Sequence, residues 1–325
     1  MGEVNKRKIH ILVFLFFLLI VSLLLSLLKG GVNYPFKALF FPGENERVVL
    51  YQIRFVRGMS ALLVGGILSL CGLVLQGILR NPLAEPYTLG VSGGGALGTS
   101  IAIILGTGIA GRVLGGFGGA LLSVTLVILL SARKGFTPSS LILSGVIMSF
   151  FFSSLVFLIF SLSRAWELHE VFSWMMGNLS TLSSLHLKII SFLFLPVFFL
   201  FFSGKELNTL ALGDEKAYSL GINPRRIRLI YFLLTSYLTG LAVSFTGIIG
   251  FVGLMIPHLL RLSMGEDYTL LIPASFLGGG SFLILADYLS RILLYPEELP
   301  VGIITGVLGS LFFFLIYLRE NGRTS

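Results

Sequence analysis

Charged residues are scarce in this chain. Asp, Glu, Lys and Arg make up 12% of its 325 residues, whereas soluble domains carry roughly 25%. Hydrophobic residues make up 55%, and their runs recur from Ile9 to Leu318 instead of forming a single anchor. Because a transmembrane helix needs about 20 apolar residues, the length accommodates about ten spans. The composition predicts an all-α polytopic membrane protein with one domain, residues 1–325, and excludes a sizeable soluble domain.

Side chains that bind metals or catalyse reactions are equally scarce. Cys71 is the only cysteine, which excludes an internal disulfide and a zinc site built from several thiolates. The four histidines are scattered, and neither a P-loop signature nor an H-E-x-x-H motif occurs. We therefore expect no catalytic residue, metal site or cofactor in this chain. The net charge of +8 comes without a basic cluster interleaved with aromatic residues, so we expect membrane lipid, and no nucleic acid, as a partner.

Acidic side chains are nearly absent from the predicted spans. Asp287 is the exception, and Arg291 follows it by one helical turn, which predicts an i,i+4 ion pair near the outer end of its helix. Transporters driven by ion gradients usually need carboxylates or histidines within the membrane. Their scarcity disfavours that mechanism, so the energy for any transport would come from another subunit.

Apolar runs and their breakers predict ten helices. They are expected near residues 9–28, 55–79, 90–105, 113–132, 139–162, 187–203, 227–248, 251–264, 269–293 and 301–318. The eighth is short and follows a glycine-containing break at 246–250. The first is longer than the roughly 7–15 residues of a signal-peptide core, so we expect it to be retained. With both termini in the cytoplasm, the inner loops hold 14 of the 23 Lys and Arg residues, as the positive-inside rule requires.

Residues 76–95 form a polar stretch between two apolar segments. The stretch contains Pro82 and Pro86 and ends in a run of glycines. In a membrane, irregular backbone persists only where protein or a water-filled cavity satisfies its polar groups. The sequence therefore predicts a structured turn that re-enters the protein at membrane level, as a candidate part of a transport pathway.

A second polar stretch, residues 205–224, connects the sixth and seventh predicted helices on the cytoplasmic side. Leu212, Ala217 and Leu220 fall near helical spacing. Gly213 and Gly221 bracket the segment, and Pro224 closes it. This pattern predicts a short amphipathic helix lying flat at the membrane face, a form suited to a groove on a partner protein. A solvated connector is the alternative.

Six blocks of the sequence resemble one known family. The blocks are 54–57, 76–95, 212–221, 247–261, 285–291 and 298–306. In this order, over about residues 54–318, they are similar to the FecCD-type permease subunits of ABC importers for vitamin B12, iron–siderophores and haem. The resemblance implies the type II importer fold, a homodimer around a central path, an external substrate-binding protein, and two ABC ATPase subunits that carry ATP and Mg.

The resemblance also implies roles for individual residues. Docking of the binding protein is expected on an exposed arginine fork that pairs with carboxylates, formed by Arg54, Arg57 and Arg291. The cytoplasmic gate is expected at Asn81, Pro82, Leu83, Ser139 and Ser140. Coupling to the ATPase is expected at Leu212, Gly213, Asp214, Glu215, Ala217, Leu220 and Gly221. Pro138 departs from the family pattern, which leaves the contacts of the second gate segment open.

Two other functions are alternatives to an importer subunit of the cell (inner) membrane. A secondary transporter working alone also uses broken helices and glycine-rich helix starts, but the few intramembrane carboxylates disfavour it. An intramembrane enzyme would need a nucleophile–base or metal constellation that the sequence does not offer. For an importer working by alternating access, an iron–siderophore is the first expectation as cargo, with cobalamin, haem and oxyanions still open.

Overall fold

The computed structural model describes residues 2–180 and 182–321, and within them it contains helices and no β-strand. The first eight helices are α1 Gly2–Leu28, α2 Glu44–Arg47, α3 Phe55–Leu79, α4 Val91–Ile104, α5 Gly108–Ala132, α6 Pro138–Leu162, α7 Ala165–Met175 and α8 Ser184–Leu193. The remaining seven are α9 Val197–Phe201, α10 Gly204–Ala211, α11 Asp214–Ser219, α12 Pro224–Thr246, α13 Val252–Met264, α14 Tyr268–Ile292 and α15 Val301–Asn321.

Seven helices of the described residues are long and apolar enough to cross a membrane: α1, α3 with its lead-in from Glu44, α5, α6, α12, α14 and α15. Helices α4 and α13 are apolar but have only 14 and 13 residues. At 1.5 Å per residue they span about 20 Å, less than the roughly 30 Å of a hydrocarbon core. The all-α polytopic fold is confirmed, and each predicted helix has a counterpart.

The sixth predicted helix, 187–203, is wrong as a continuous element. Helix α8 ends at Leu193 and α9 begins at Val197, with turns between them. Pro196 lies in this gap. A proline lacks the N–H that a continuing helix needs and disfavours helical backbone at the residue before it. The segment therefore contains two short helices.

Helix α3 is the central element of the bundle. In its apolar window 89% of the residues are buried, and α12, α13 and α14 pack around it. Several of these contacts bring backbones together: a Cβ added to Gly72 would lie 2.0 Å from the carbonyl oxygen of Gly253. Small residues allow such approach between membrane helices. By contrast, α1, α6 and α15 are each only 22% buried, so these three present most of their surface to lipid or to another chain.

Candidate functional site

The coupling segment, residues 205–224 between α9 and α12, contains the short helix predicted between Gly213 and Gly221, which is α11, and a further helix, α10, before it. Gly213 separates them with a φ of +113°, and Gly221 follows α11 with a φ of +82°. Residues with a side chain rarely adopt these backbone angles, whereas glycine does so readily. A Cβ added to either residue would meet no atom within 4 Å. Backbone conformation, not packing, therefore requires glycine at both positions.

Three apolar side chains of this segment are exposed: Leu212, Tyr218 and Leu220. Glu215 is also exposed, whereas Ala217 is fully buried against its own chain. The grouping of Ala217 with the two leucines on one docking face is therefore wrong, because the helix turns its methyl group inward. Tyr218 takes its place, and the sequence pattern did not single it out. Exposed apolar groups on a polar helix pair suit insertion into a partner's groove.

Asp214 joins the coupling segment to the membrane helices. Its carboxylate accepts bidentate hydrogen bonds from Arg228 of α12, at 2.9 and 2.5 Å, and also pairs with Arg80. Arg80 donates to the carbonyl of Leu210 at 2.9 Å, and Arg228 donates to the carbonyl of Ile78 at 3.1 Å. The hydrogen bonds from Arg228, with the nearby positive charges, lower the pKa of Asp214 against the opposing effect of burial. We call Asp214, Arg80 and Arg228 the coupling clamp.

The first predicted gate stretch begins directly at this clamp. Arg80 ends α3 in a left-handed conformation, with φ +48°, and the chain continues into Asn81, Pro82 and Leu83. The side chain of Asn81 accepts a hydrogen bond from the Leu83 amide at 3.0 Å, which fixes the turn. Pro82 and Leu83 are exposed. The structure therefore brings the predicted coupling residue Asp214 and the predicted gate stretch together through one arginine.

The second predicted gate segment forms the start of α6. Thr137 caps the helix, accepting from the Ser140 amide at 3.3 Å, and Pro138 occupies the first helical turn, where a missing N–H costs nothing. The hydroxyl of Ser140 bonds to Ser131 at 2.8 Å and to the Thr137 carbonyl at 2.9 Å. Ser140 is buried and its hydroxyl holds this turn, whereas Ser139 is exposed. Within this chain, Ser139 is thus the member of the pair that is available to a pathway.

The re-entrant turn predicted for residues 76–95 is confirmed as an ordered structure. It supports the interruption between α12 and α13, whose backbone amides would otherwise lack partners. Glu85 accepts from the Phe251 amide at 2.6 Å, and the Tyr87 hydroxyl accepts from the Ile249 amide at 3.3 Å. Gln76 adds a bond to the Gly253 carbonyl at 3.2 Å. Two irregular segments therefore satisfy each other inside the protein, as a membrane requires.

A cavity of about 350 Å³ lies where this turn meets α4 and α6. Its lining combines aromatic and hydroxyl groups, including Tyr87, Ser92, Ser149, Ser153 and Phe157. Ser153 and Phe157 are exposed on the face of α6, so the cavity opens on that largely uncovered helix. Its mixed lining suits a ligand with apolar surface and a few hydrogen-bonding groups.

The three arginines predicted as an exposed fork lie close together at the other end of α3 and α14, but they are buried. Arg54, Arg57 and Arg291 each expose only 6–7% of their surface to solvent. The predicted exposure is therefore wrong. A guanidinium group needs hydrogen-bond acceptors for its N–H donors, and here the acceptors come from this chain instead of from a docked partner. Arg54, for example, donates to the carbonyls of Leu27 and Val32 at 2.8 and 2.7 Å. Their docking role stays a prediction.

Arg57 is the centre of this outer cluster. It donates to Asp287 and to Glu298, both at 2.6 Å. Arg291 lies 3.3 Å from Asp287, so the predicted i,i+4 pair is confirmed, and it also donates to the Ser26 hydroxyl at 2.7 Å. The cluster therefore links α1, α3, α14 and the segment before α15. Its outward-facing group is Glu298, whose side chain is 46% exposed.

Several of these residues were given no functional role by the sequence. In the sequence, Arg80 and Arg228 are only charges of the inner side that set orientation, and Glu85 and Tyr87 are only members of a polar stretch. One available signal is the acidic residue Asp214 in a segment that has an arginine at the helix end on either side of it in the chain: Arg80 after α3 and Arg228 in α12. The pairing of Arg57 with Asp287, 230 residues apart, had no local signal.

Comparison with known proteins gives one consistent result. Residues 17–319 match the model of the FecCD transport family. The hemin transport system permease protein HmuU of Yersinia pestis is 34% identical, over 100% of this chain and 99% of the relative. The vitamin B12 import system permease protein BtuC of Klebsiella pneumoniae is 36% identical, over 94% and 92%. A solved metal-chelate type ABC transporter in an inward-facing conformation is 32% identical, with a TM-score of 0.89, covering 95% and 99%.

Proposed function

The chain belongs to the FecCD transport family and is a transmembrane permease subunit of an ABC importer, and from that premise we propose how it works. Two identical copies form a central path and rest on two ABC ATPase subunits, which bind ATP and Mg. Both termini face the cytoplasm of a cell (inner) membrane. An external binding protein delivers a metal chelate, and alternating access moves it inward.

The coupling clamp is the observation that carries this mechanism. A partner that moves α10 and α11 through Leu212, Tyr218 and Leu220 also moves Asp214. Through Arg80 and Arg228 the displacement reaches the ends of α3 and α12 and the adjoining gate stretch. The clamp is a charge-assisted, partly bidentate contact, the stronger class of hydrogen bond. It therefore provides a direct mechanical link between an ATPase surface and the first stretch of the cytoplasmic gate. Ser139 is the exposed residue of the second gate segment.

The cavity beside α6 supports a bulky, largely apolar cargo. Two such cavities of about 350 Å³, facing each other across a pair of α6 helices, would enclose about 700 Å³, within the range of ligand sites. Relatives are named for hemin and vitamin B12, both metal chelates. An iron–siderophore remains our first expectation, followed by cobalamin and haem.

Docking of the binding protein is proposed at the outer cluster. Three arginines and two carboxylates leave it with a net positive charge, which attracts an acidic surface. Because Arg57 already holds Glu298 at the surface, a docking carboxylate would compete with Glu298 for this guanidinium. Arg54 and Arg291 would act from beneath, by holding the helix ends and the positive charge in place.

The proposed function is tested by reconstituting the chain with its neighbouring ATPase in lipid vesicles. We expect ATP-dependent uptake of one chelate, in the presence of one loaded binding protein, among iron–siderophore, cobalamin and haem. Asp214→Asn should retain ATP hydrolysis but lose most of the stimulation by the binding protein. Glu266→Gln, an exposed carboxylate of the cytoplasmic side that forms no ion pair with either arginine of the clamp, is the matched control. Uptake that follows an ion gradient without ATP would contradict the proposal and restore the secondary transporter.

A further inference from the structure

An apolar groove on the side of the protein, next to the coupling segment, is not used by the transport mechanism. It has a volume of about 720 Å³ and lies between α9 and α12. Phe199 and Phe202 form one wall, and Ile230 and Leu233 the other, and all four side chains are exposed. Because both walls belong to segments that enter the membrane beside the coupling segment, the groove faces lipid. Its shape and lining suit acyl chains.

The end of the groove nearest the coupling segment is polar. Glu206, in the first turn of α10, lines it together with Tyr231, whose hydroxyl bonds to Ser203. The Oε2 atom of Glu206 is inaccessible to solvent and has no hydrogen-bond partner among the described residues. A buried acceptor without a donor is costly, and more so when the group is a carboxylate. The site therefore lacks one donor, preferably a cationic one.

We propose that this groove binds a phospholipid with a primary amine in its head group, of the phosphatidylethanolamine type. With a rotation of the Glu206 side chain that brings Oε2 to the groove it lines, the ammonium would donate to this oxygen while the acyl chains fill the apolar walls. A choline head group has the same charge but no N–H, so it cannot satisfy the carboxylate. Exposed Lys205, beside Glu206, and Arg226, one turn before Ile230 on α12, offer cations for the lipid phosphate.

The position of the groove gives the lipid a role in coupling. Glu206 belongs to α10, whereas Ile230 and Leu233 belong to α12, so one bound lipid contacts both. Helix α10 also carries the Leu210 carbonyl that accepts from Arg80. A lipid in the groove would therefore hold α10 against the membrane helices.

Native mass spectrometry of the purified full-length chain tests this site. Delipidated protein is equilibrated with equal amounts of dioleoyl-phosphatidylethanolamine and dioleoyl-phosphatidylcholine. We expect about a tenfold preference for the ethanolamine lipid, the amount that one charge-assisted hydrogen bond supplies. Glu206→Gln should abolish the preference, and Leu233→Trp, which fills the groove, should reduce retention of both lipids. Glu266→Gln removes an exposed carboxylate of the same membrane side outside the groove and should leave the preference unchanged.

Equal retention of the two lipids by the wild type, or a preference that survives Glu206→Gln, would overturn the proposal. Retention of both lipids unchanged in Leu233→Trp would do the same, since it would show that the bound lipid lies elsewhere. The measurement needs neither an ATPase nor a cargo. Its failure would therefore leave the proposed transport function standing, and a failure of transport would not affect it.

Discussion

At the scale of single residues, the decisive contacts are ion pairs that each serve more than one helix. Asp214 holds two arginines from different helices, and Arg57 holds two carboxylates. Loss of the shared residue removes a counter-charge from both of its partners at once, which is costly where the partner is buried. Both clusters therefore make sharp predictions.

The coupling clamp predicts a specific pH dependence. Because the hydrogen bonds from Arg228 lower the folded-state pKa of Asp214, its stabilisation is present above the ordinary aspartate value of about 3.9 and is lost as pH falls through the lower value. The difference in melting temperature between wild type and Asp214→Asn should stay constant from pH 8 to about 5 and shrink below about 4. A difference that changes between pH 8 and 6 would assign the clamp to another group.

The outer cluster predicts unequal costs for the loss of its central arginine and the loss of its exposed carboxylate. Asp287 is fully buried, so Arg57→Ala should destabilise the protein by about 3–5 kcal/mol. Glu298→Gln should cost about 1 kcal/mol or less, because that carboxylate is 46% exposed. Thermal unfolding in detergent measures both. The double change Arg57→Ala with Asp287→Ala should recover part of the loss, and equal costs for the two single changes would contradict the buried network.

At the scale of elements, the coupling segment depends on backbone conformation more than on packing. The two glycines predict the limits of one short helix, which is α11, and the structure adds α10 before it. Gly213 separates the two helices, and Gly221 ends the turn after α11 and directs the chain toward α12. The exposed docking residues therefore have an orientation that only the turn geometry determines.

Gly221→Ala is a test of that geometry. The added methyl group meets no neighbour, but a left-handed backbone with a Cβ costs about 1–2 kcal/mol. We expect weaker co-purification of the ATPase and reduced stimulation of ATP hydrolysis by the binding protein. Gly118→Ala is the matched control, because it also adds a methyl into open space but within regular helix α5, where alanine is preferred. Equal effects of the two changes would remove backbone strain as the cause.

At the scale of the whole molecule, burial is strongly uneven. Helix α3 is the core of the bundle, whereas α6 and α15 are uncovered and α6 borders the proposed cargo cavity. An uncovered helix that carries hydroxyl groups beside a cavity is where a second copy would complete a pathway. The homodimer stays a prediction.

Cysteine cross-linking tests that arrangement. Cys71 is buried and is the only native thiol, so an introduced cysteine reports on its own surroundings. Phe150→Cys, on the exposed face of α6, should give a disulfide-linked dimer under mild oxidation in membranes. Val13→Cys, equally apolar and exposed on α1, should not. A dimer formed only through position 13 would place the interface on α1 and contradict the predicted interface on α6.

Much of the fold is encoded locally and could be predicted. Apolar runs of spanning length determine the helices, and Thr246–Gly250 identified the interruption before α13. The polar stretch 76–95 was correctly expected to be ordered, because a membrane tolerates no unsatisfied backbone. Family membership followed from ordered motifs and was confirmed by comparison.

What only the tertiary structure decided depends on contacts between distant residues. The burial of Arg54, Arg57 and Arg291, the inward turn of Ala217 and Ser140, and the two arginines on Asp214 have no periodic signal in the chain. Each results from the way in which helices far apart in sequence meet. A polar group that becomes buried there must then find a hydrogen-bond partner among the residues around it. The sequence by itself determined which segments are apolar enough to cross a membrane, because hydrophobicity is a property of a segment. The assignment of each charge to a partner is a property of the assembled bundle.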